Sequence, residues 1–281
     1  MKNFLKEKID KIFKISILGI NDFFSKIGIR FLNLKTNKKT NKLESLNNIF
    51  ENLKHKYTNE LPNELSHMEI IDRNFIIDLA YITQITLKKS EINIDHGKIL
   101  YALSTNMFKK NLTKKFTIVE TGTAKGFSSI CMAKAIYDTE VKAQIFTFDL
   151  IGHSKKSIWN NISDIHGPIS RKEMIHKWRY LSDNYIHFIS GYSHLNIKNF
   201  NFNNIDFAFI DGSHYGHDIY FEFMEISKYQ LKGDQILFDD YDHPNYISLT
   251  KTIDRLCNEL EYEKFKISGF NDRNYLLATK I

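Results

Sequence analysis

From residue 116 onward, short apolar runs alternate with helical stretches, and this pattern constrains the fold more than any other feature of the chain. Nearly continuous apolar strands that alternate with helices are typical of a parallel sheet covered on both faces. The predicted strands are Phe116–Glu120, Gln144–Asp149, Tyr185–Ser190, Ile205–Asp211 and Asp234–Asp239. The predicted helices span about residues 126–137, 171–182, 193–199, 216–230 and 248–260. The pattern predicts a doubly wound α/β domain.

Two more strands are predicted after the last helix. Glu263–Ser268 and Arg273–Thr279 flank the turn sequence Gly269-Phe-Asn-Asp272, which is typical of a hairpin between antiparallel neighbours. We therefore predict a seven-stranded, mostly parallel sheet with an antiparallel C-terminal strand.

The N-terminal 42 residues contain eleven Lys or Arg and only three acids, so they carry a net charge of +8, against +6 for the whole chain. Apolar residues recur there at helical spacing over residues 4–32, which predicts basic amphipathic helices. Such helices suit peripheral contact with an anionic membrane, packing on their own domain, or a second copy in a homo-oligomer. The remaining chain is slightly acidic, so no nucleic-acid groove is predicted in it.

Three segments are predicted along the chain. The polar stretch 35–42 is typical of a flexible linker, so residues 1–43 form a basic arm and linker. Residues 44–112 have a helical pattern and form a cover segment, and residues 113–281 form the α/β domain. Cys131 and Cys257 lie far apart without metal-ligand spacing, and no apolar run has the length of a membrane span. A cytoplasmic location, with the inner membrane face as an alternative for the arm, is the expectation.

Ligands of doubly wound sheets bind at the carboxyl ends of the strands. The first predicted strand ends in the loop Glu120-Thr-Gly-Thr-Ala-Lys-Gly126, whose G-x-x-x-G pattern differs from the G-x-G-x-x-G of dinucleotide sites. An acid before the glycines favours a cationic ligand without phosphate. Asp149, at the end of the second strand, could accept both hydroxyls of a ribose, or it could simply cap a turn.

A second group of acids follows the fourth and fifth strands. Asp211, Asp239 and Asp240 would repel one another unless protons or a cation intervened. Oxygen ligands alone suit Mg²⁺, Mn²⁺ or Ca²⁺. The sequence therefore predicts a divalent metal site at these three residues.

Together, the patterns E-x-G-x-x-x-G, I-D-x-A-F-I-D-G-S-H and G-D-x-I-L-F-D-D-Y, with a strand-end Asp, resemble class I S-adenosylmethionine-dependent methyltransferases with a Rossmann-like fold. Within that superfamily they are most similar to macrocin-type sugar O-methyltransferases and to enzymes of surface-polysaccharide clusters. The resemblance covers about residues 116–281 and does not extend to residues 1–110.

This resemblance implies a role for each matching residue. Asp149 would hold the ribose, Tyr192 and Ser193 would border the adenine, and the other cofactor-binding positions would be Glu120, Gly122, Thr123, Gly126 and Asp211. Ala124 stands where many members have a middle glycine. Catechol-type relatives bind Mg²⁺ through an Asp-Asn pair, and here that pair is Asp239-Asp240.

A methyl acceptor must lose a proton, and an imidazole titrates near neutral pH. His214, three residues past Asp211, is the predicted general base, so that Asp211 and His214 form the catalytic pair. His217 and His243 are alternative bases, and each histidine could instead be a surface or packing residue.

Residues 150–184 form an unusually long connection, and such segments are often lids. Ser170 and Glu173 have the spacing of a capping box, which predicts a helix start there. The aromatic and basic side chains of this connection would suit a sugar, or they could be core and solvated residues: Trp159, His166, Pro168, Arg171, Lys172 and Trp178.

The hypothesis from sequence is an S-adenosylmethionine-dependent, metal-assisted O-methyltransferase that acts on a sugar or polysaccharide-precursor hydroxyl. Two alternatives stay open: a nicotinamide-dependent oxidoreductase on a similar sheet, and a non-catalytic binding module tethered by the basic arm.

Overall fold

A computed structural model describes residues 39–87, 92, 94–269 and 273–281, with the backbone alone for residues 39–41. A helical segment precedes the sheet and consists of α1 (Lys39–Lys56), α2 (Arg73–Thr83) and α3 (Asp95–Lys109). The sheet strands are β1 (Lys115–Thr121), β2 (Lys142–Asp149), β3 (Ile186–Ser190), β4 (Phe207–Ile210), β5 (Gln235–Phe238), β6 (Tyr262–Ser268) and β7 (Asn274–Lys280).

Helices connect most of these strands and cover both faces of the sheet. They are α4 (Phe127–Thr139), α5 (Arg171–Met174), α6 (Arg179–Tyr185), α7 (Ser193–Phe200), α8 (Gly216–Ser227) and α9 (Ile247–Glu259). One hydrophobic core packs α3 and α4 against the first face, and a second packs α8 and α9 against the other. Because both faces are covered, β4 is buried at every position and β5 at all but its first.

The strand order is β3-β2-β1-β4-β5-β7-β6. Strands β1 to β5 are parallel, and β7 runs antiparallel to both β5 and β6. The order reverses between β1 and β4, so the carboxyl ends of these two strands are the expected ligand edge. The predicted Rossmann-like, doubly wound sheet of seven strands with an antiparallel C-terminal strand is confirmed.

Some local predictions need correction. Helix α1 begins at Lys39, so the last four residues of the predicted linker are helical. The predicted helix over 171–182 is divided into α5 and α6 by a 3₁₀ turn at His176–Trp178, which ends with Trp178 in the core. The predicted amphipathic arm and residues 270–272 of the hairpin turn lie outside the described residues. No helix in the described ranges is both long and apolar enough to cross a bilayer.

Candidate active site

The loop of residues 120–126, called here the glycine loop, joins β1 to α4 through left-handed backbone. Gly122 and Gly126 both have φ of +90°. A Cβ on Gly122 would lie 2.4 Å from the backbone oxygen of Asp211, so only glycine lets the ends of β1 and β4 approach so closely. Gly126 is the N-cap of α4 and leaves that helix N-terminus facing the loop. The glycines thus serve backbone geometry, as the sequence analysis expected of a ligand-binding turn.

Ala124 occupies the position of the missing middle glycine and has φ of +45°. A left-handed backbone costs a non-glycine residue about 1–2 kcal/mol, so this conformation must be held by its neighbours. The Ala124 amide donates to Asp149 Oδ2 at 2.7 Å, and its carbonyl accepts from Arg171 Nε at 2.7 Å. Arg171 is only 1% exposed. Two hydrogen bonds to buried or partly buried charged groups therefore fix the loop.

Glu120 lies fully buried beneath the glycine loop. Its carboxylate accepts hydrogen bonds from the hydroxyls of Ser128, Ser129 and Thr147. Burial raises the pKa of Glu120, and the three hydroxyl donors oppose that shift. The structure therefore places Glu120 as a brace between β1, β2 and α4, directly under the turn it was predicted to serve.

Asp149, at the end of β2, accepts backbone hydrogen bonds from Ala124 on one oxygen and from Ile151 on the other, both at 2.7 Å. Arg171 Nη2 lies 3.4 Å from Oδ2. A carboxylate has about four lone-pair sites, so each oxygen keeps capacity for a further donor. Asp149 caps the loop and can also receive two hydroxyls, which combines the two interpretations left open by the sequence.

The remaining predicted cofactor residues differ in their exposure and in their hydrogen-bond partners. Thr123 is buried, with its hydroxyl 2.5 Å from that of Thr147. Tyr192, at the start of α7, is 62% exposed beside the same strand ends. The hydroxyl of Ser193 donates to Glu222, so Ser193 is already engaged within the protein.

Glu222 is a further buried acid at this edge of the sheet, and it was not predicted from sequence. It is 3% exposed and also accepts from Thr121 Oγ1 at 3.0 Å, so it links the ends of β1 and β3. Burial raises the pKa of Glu222 to about 7, although the two hydroxyls oppose the shift. Its position on the apolar face of α8, between Ile219 and Phe223, was an available signal, because an acid there needs buried partners.

Asp211, Asp239 and Asp240, called here the carboxylate cluster, meet at the ends of β4 and β5. One oxygen from each lies within 4.8 Å of the others, and among the described residues this is the group of acids, histidines and cysteines that could hold a metal. Asp211 is half-buried and Asp239 is buried. The sequence prediction that these three residues come together is met, and an all-oxygen donor set fits a hard divalent cation.

Arg273, which immediately precedes β7, reaches into this cluster. Its Nε donates to Asp239 Oδ1 at 2.8 Å, and its Nη2 donates to Asp239 Oδ2. The second contact completes a bidentate fork, the strongest arrangement between arginine and a carboxylate. Arg273 Nε also lies 3.6 Å from Asp240 Oδ1. From sequence, Arg273 was predicted only as the first residue of a strand, and this contact was not predicted.

The three carboxyl groups differ in charge state. Burial, and then the neighbouring Asp239, raise the pKa of both Asp211 and Asp240. Burial opposes ionisation of Asp239 as well, but the charge and hydrogen bonds of Arg273 outweigh it and lower the pKa of Asp239. Arg273 thus stabilises the ionised form of Asp239, whereas burial and the neighbouring carboxylate destabilise the ionised forms of Asp211 and Asp240.

His214 lies beside the carboxylate cluster. Its Nδ1 is 3.2 Å from Asp240 Oδ2, and its ring stacks on Tyr246 with centroids 4.4 Å apart. His243 stacks on the same tyrosine at 4.6 Å. His217 instead faces Asp218, at 3.5 Å, and Phe221 on α8. Of the three histidines, His214 is the one with a ring nitrogen within 4 Å of a carboxylate of the cluster among the described contacts.

Helix α3 of the preceding segment covers this edge of the sheet. The ring of His96 packs on Phe127 at 4.9 Å and is parallel to Phe209 at 6.5 Å. A Cβ on Gly97 would lie 2.6 Å from the Phe127 ring, so α3 is in close contact with the first residue of α4. The helical segment is therefore part of the wall around the strand ends.

The long connection between β2 and β3 has a different character from the predicted aromatic and basic lid. Trp159, Trp178 and Arg171 are buried, and the capping box at Ser170 and Glu173 is present. Only His166, Pro168 and Lys172 of the predicted set are exposed. This segment contacts the glycine loop through Arg171, because the guanidinium of Arg171 donates a hydrogen bond to the carbonyl oxygen of Ala124.

Comparison with known proteins agrees with this geometry. Residues 119–241 match a family model described as a methyltransferase domain. No curated protein matches the chain in sequence. The solved O-methyltransferase NovP is 13% identical, with 86% of this chain and 99% of that chain covered at a TM-score of 0.54.

Two further structures are similar at lower scores. An O-methyltransferase from Bacillus cereus, solved with SAH, is 14% identical over 93% of this chain and 97% of its own, with a TM-score of 0.47. TomG from Streptomyces achromogenes, solved with SAM, is 16% identical over 78% of this chain and 95% of its own, with a TM-score of 0.49. Residues 119–241 are therefore similar to a methyltransferase domain, and the likeness to NovP agrees with the Rossmann-like fold of the chain.

Proposed function

We propose that this chain is an S-adenosylmethionine-dependent O-methyltransferase that acts on a hydroxyl of a sugar or polysaccharide precursor. The observation that carries the proposal is the pairing of His214 with Asp240 at the sheet edge that also holds the glycine loop and Asp149. A base and a ribose-binding acid on one edge provide the two halves of a methyl-transfer site.

The residues at the glycine loop fit the proposed cofactor. Asp149 keeps one free acceptor site on each oxygen for the two ribose hydroxyls, and the turn at Gly122 to Gly126 leaves backbone open to a ligand. When bound, S-adenosylmethionine would supply a methyl group on a sulfonium: the bond from this carbon to the acceptor oxygen forms as the carbon–sulfur bond breaks, and S-adenosylhomocysteine leaves as a neutral thioether. The Glu120 carboxyl group lies below the turn and accepts hydrogen bonds from three hydroxyls, and it would lie below the proposed position of the sulfonium.

His214 is the proposed general base. Its Nδ1 faces Asp240, so Nε2 takes the proton of the acceptor hydroxyl as that oxygen receives the methyl group. Asp240 stabilises the imidazolium that forms, and Tyr246 fixes the plane of the ring.

A divalent cation is the third proposed component, and it would be held in the carboxylate cluster. Asp211, Asp239 and Asp240 have the donor chemistry and the spacing for it. A bound cation lowers the pKa of a coordinated hydroxyl and fixes its orientation. The sugar acceptor is supported by the resemblance of the motifs to macrocin-type enzymes, and NovP is itself an O-methyltransferase.

We also propose that residues 44–112 act as a cover for the acceptor side. The contacts of His96 and Gly97 with α4 and β4 support this role. The nicotinamide oxidoreductase alternative loses ground to the match with a methyltransferase family over residues 119–241. A decayed binding module would not be expected to keep the paired His214 and Asp240.

Two measurements test the proposal. Thermal-shift assays with S-adenosylhomocysteine and with NAD should show stabilisation by the first alone, and stabilisation by NAD alone would refute it. Transfer of a labelled methyl group from S-adenosylmethionine to a panel of sugar nucleotides should then depend on divalent cation. Full activity in excess EDTA, or in both Asp211→Ala and Asp239→Ala variants, would refute the metal component.

A further inference from the structure

Arg171 is a buried cation in the long connection between β2 and β3. Its side chain is 2% exposed, and its guanidinium carbon lies 5.8 Å from the ring centroids of both Trp159 and Phe188. Aromatic rings stabilise a guanidinium that burial has removed from water. A buried charge also needs polar partners, and the identity of these partners indicates what the residue does.

The polar partners of Arg171 belong to the proposed cofactor site. Arg171 Nε donates to the Ala124 carbonyl at 2.7 Å, and Arg171 Nη2 lies 3.4 Å from Asp149 Oδ2. The Ala124 amide donates to the same carboxylate oxygen at 2.7 Å. The three residues therefore form a closed ring of contacts that joins the connection, the glycine loop and the end of β2.

The Nη2 atom of Arg171 is incompletely satisfied. It is buried, and within the described residues it has no hydrogen-bond partner, since its contact with Asp149 meets only the distance of an ion pair. A buried charged group with an unmade hydrogen bond destabilises a folded chain. Packing alone would favour an apolar side chain of similar length at this position. Arg171 therefore has a role that packing does not explain.

The backbone of Arg171 is held independently of the glycine loop. Helix α5 begins at Arg171, directly after Ser170, whose capping box with Glu173 fixes that start. A Cβ on Gly126 would lie 3.8 Å from Arg171 Cδ and 3.6 Å from Ile175 Cδ1, so this helix is in contact with the loop. The side chain of Arg171 can thus transmit the position of the connection to the loop.

We infer that Arg171 is a positioning residue for the cofactor. Through the Ala124 carbonyl and the Asp149 carboxylate, it holds the glycine loop and the ribose-binding acid in the arrangement that S-adenosylmethionine binds. Arg171 acts on the groups that bind the cofactor and does not touch the reacting atoms. The inference rests on the proposed function and extends it to a residue outside every motif that carries the family resemblance.

Calorimetric titration of the full chain with S-adenosylhomocysteine tests the inference without a known acceptor. Arg171→Met removes both polar contacts and keeps a long stem, so the Kd should rise about tenfold, as expected for a lost hydrogen bond between charged or polar groups. Arg171→Lys keeps the charge without the fork, and its Kd should rise only about threefold. A packing role would reverse this order, because methionine suits a buried position better than lysine does.

A double-mutant cycle determines whether Arg171 acts through Asp149. Because residues in one network do not contribute additively, Arg171→Met should raise the Kd about tenfold in the natural chain but at most about threefold in Asp149→Asn. A substitution that merely loosened the connection would raise the Kd by the same factor in both backgrounds.

Lys172→Met is the matched control, because Lys172 is the next residue of α5 and is exposed. It removes the same charge from the same helix, and screening by solvent and salt should keep the change in Kd below about twofold. Cooperative thermal unfolding of each sample verifies that it is folded. If Arg171→Met does not fold, Arg171→Lys and its own cycle with Asp149→Asn provide the test.

An unchanged Kd in folded Arg171→Met or Arg171→Lys would overturn the inference. Weaker binding by Arg171→Lys than by Arg171→Met, or equal effects in the two backgrounds of the cycle, would also overturn it. If the natural chain does not bind S-adenosylhomocysteine, the proposed function fails together with the inference. Normal binding by the natural chain with no response to Arg171 removes the inference alone.

Discussion

The glycine loop and the carboxylate cluster lie at the same edge of one sheet, yet the buried carboxyl groups of the two regions have different partners. Under the loop, Glu120 is held by three hydroxyls, and Glu222 nearby is held by two. In the cluster, one oxygen from each of three carboxyl groups lies within 4.8 Å of the others, and the groups in contact with them are Arg273 and His214. The buried carboxyl groups of the first region have neutral hydroxyl donors, whereas those of the second lie beside one another and beside an arginine.

If this contrast is correct, damage to the cluster should abolish chemistry and leave cofactor binding intact. His214→Ala should lower kcat by about 10²- to 10⁴-fold, the usual contribution of a general base. Its Kd for S-adenosylhomocysteine, measured by calorimetry, should stay unchanged. His217→Ala is the matched control, since His217 faces Asp218, and it should keep nearly full activity. Equal losses in both variants would break the comparison.

Damage on the loop side should show the reverse behaviour. Asp149→Ala removes the acceptor of the Ala124 and Ile151 amides and of the proposed ribose hydroxyls. The Kd for S-adenosylhomocysteine should rise about 10- to 100-fold, as expected for the loss of one or two hydrogen bonds to a charged group. Mn²⁺ binding should not change. A variant that binds the cofactor normally would remove Asp149 from the site.

The pH dependence of stability should identify Glu222 as a buried carboxyl group whose hydrogen-bond donors are two neutral hydroxyls. Its pKa is raised from 4.5 to about 7, so the folded chain holds a proton there that the unfolded chain has lost. The stability from this group is full below pH 4.5 and is lost as pH rises through 7. The total loss is about 3 kcal/mol, from about 1.4 kcal/mol per pKa unit.

Urea unfolding at pH 5, 6, 7 and 8 measures this effect. The natural chain should lose free energy of unfolding over that range relative to Glu222→Gln, which cannot titrate. Glu259→Gln, at an exposed position of α9, should follow the natural chain. Parallel curves for the natural chain and Glu222→Gln would mean that Glu222 is ionised throughout.

The smallest effect is expected at Ala124. Ala124→Gly relieves a left-handed backbone with φ of +45°, and glycine adopts that conformation without a steric penalty. The free energy of unfolding should rise by about 1 kcal/mol, partly offset by the greater freedom of glycine in the unfolded chain. Differential scanning calorimetry would detect the shift, and Ala133→Gly inside α4 should change stability in the opposite direction.

Much of the sheet and the meeting of acids at its edge could be predicted from sequence. The apolar runs at β1 to β5 carry their own signal, because strands buried on both faces must be apolar. Asp211, Asp239 and Asp240 could be placed together since each follows a neighbouring parallel strand. The internal contacts of Glu222 and Arg171 could not, because they depend on which side chains of distant segments meet. Arg273 was hidden for the same reason, as its partner lies 34 residues earlier.

The placement of β7 has a consequence for the order in which the site can form. Strand β7 lies between β5 and β6, although both of these neighbours precede it in the chain. While the chain emerges from the ribosome, β5 and β6 must therefore remain unpaired with each other until β7 arrives. Asp239 has no arginine partner during that interval. Asp239 gains this arginine contact only when β7 pairs with β5, so the last pairing of the sheet also completes the hydrogen bonds of the carboxylate cluster.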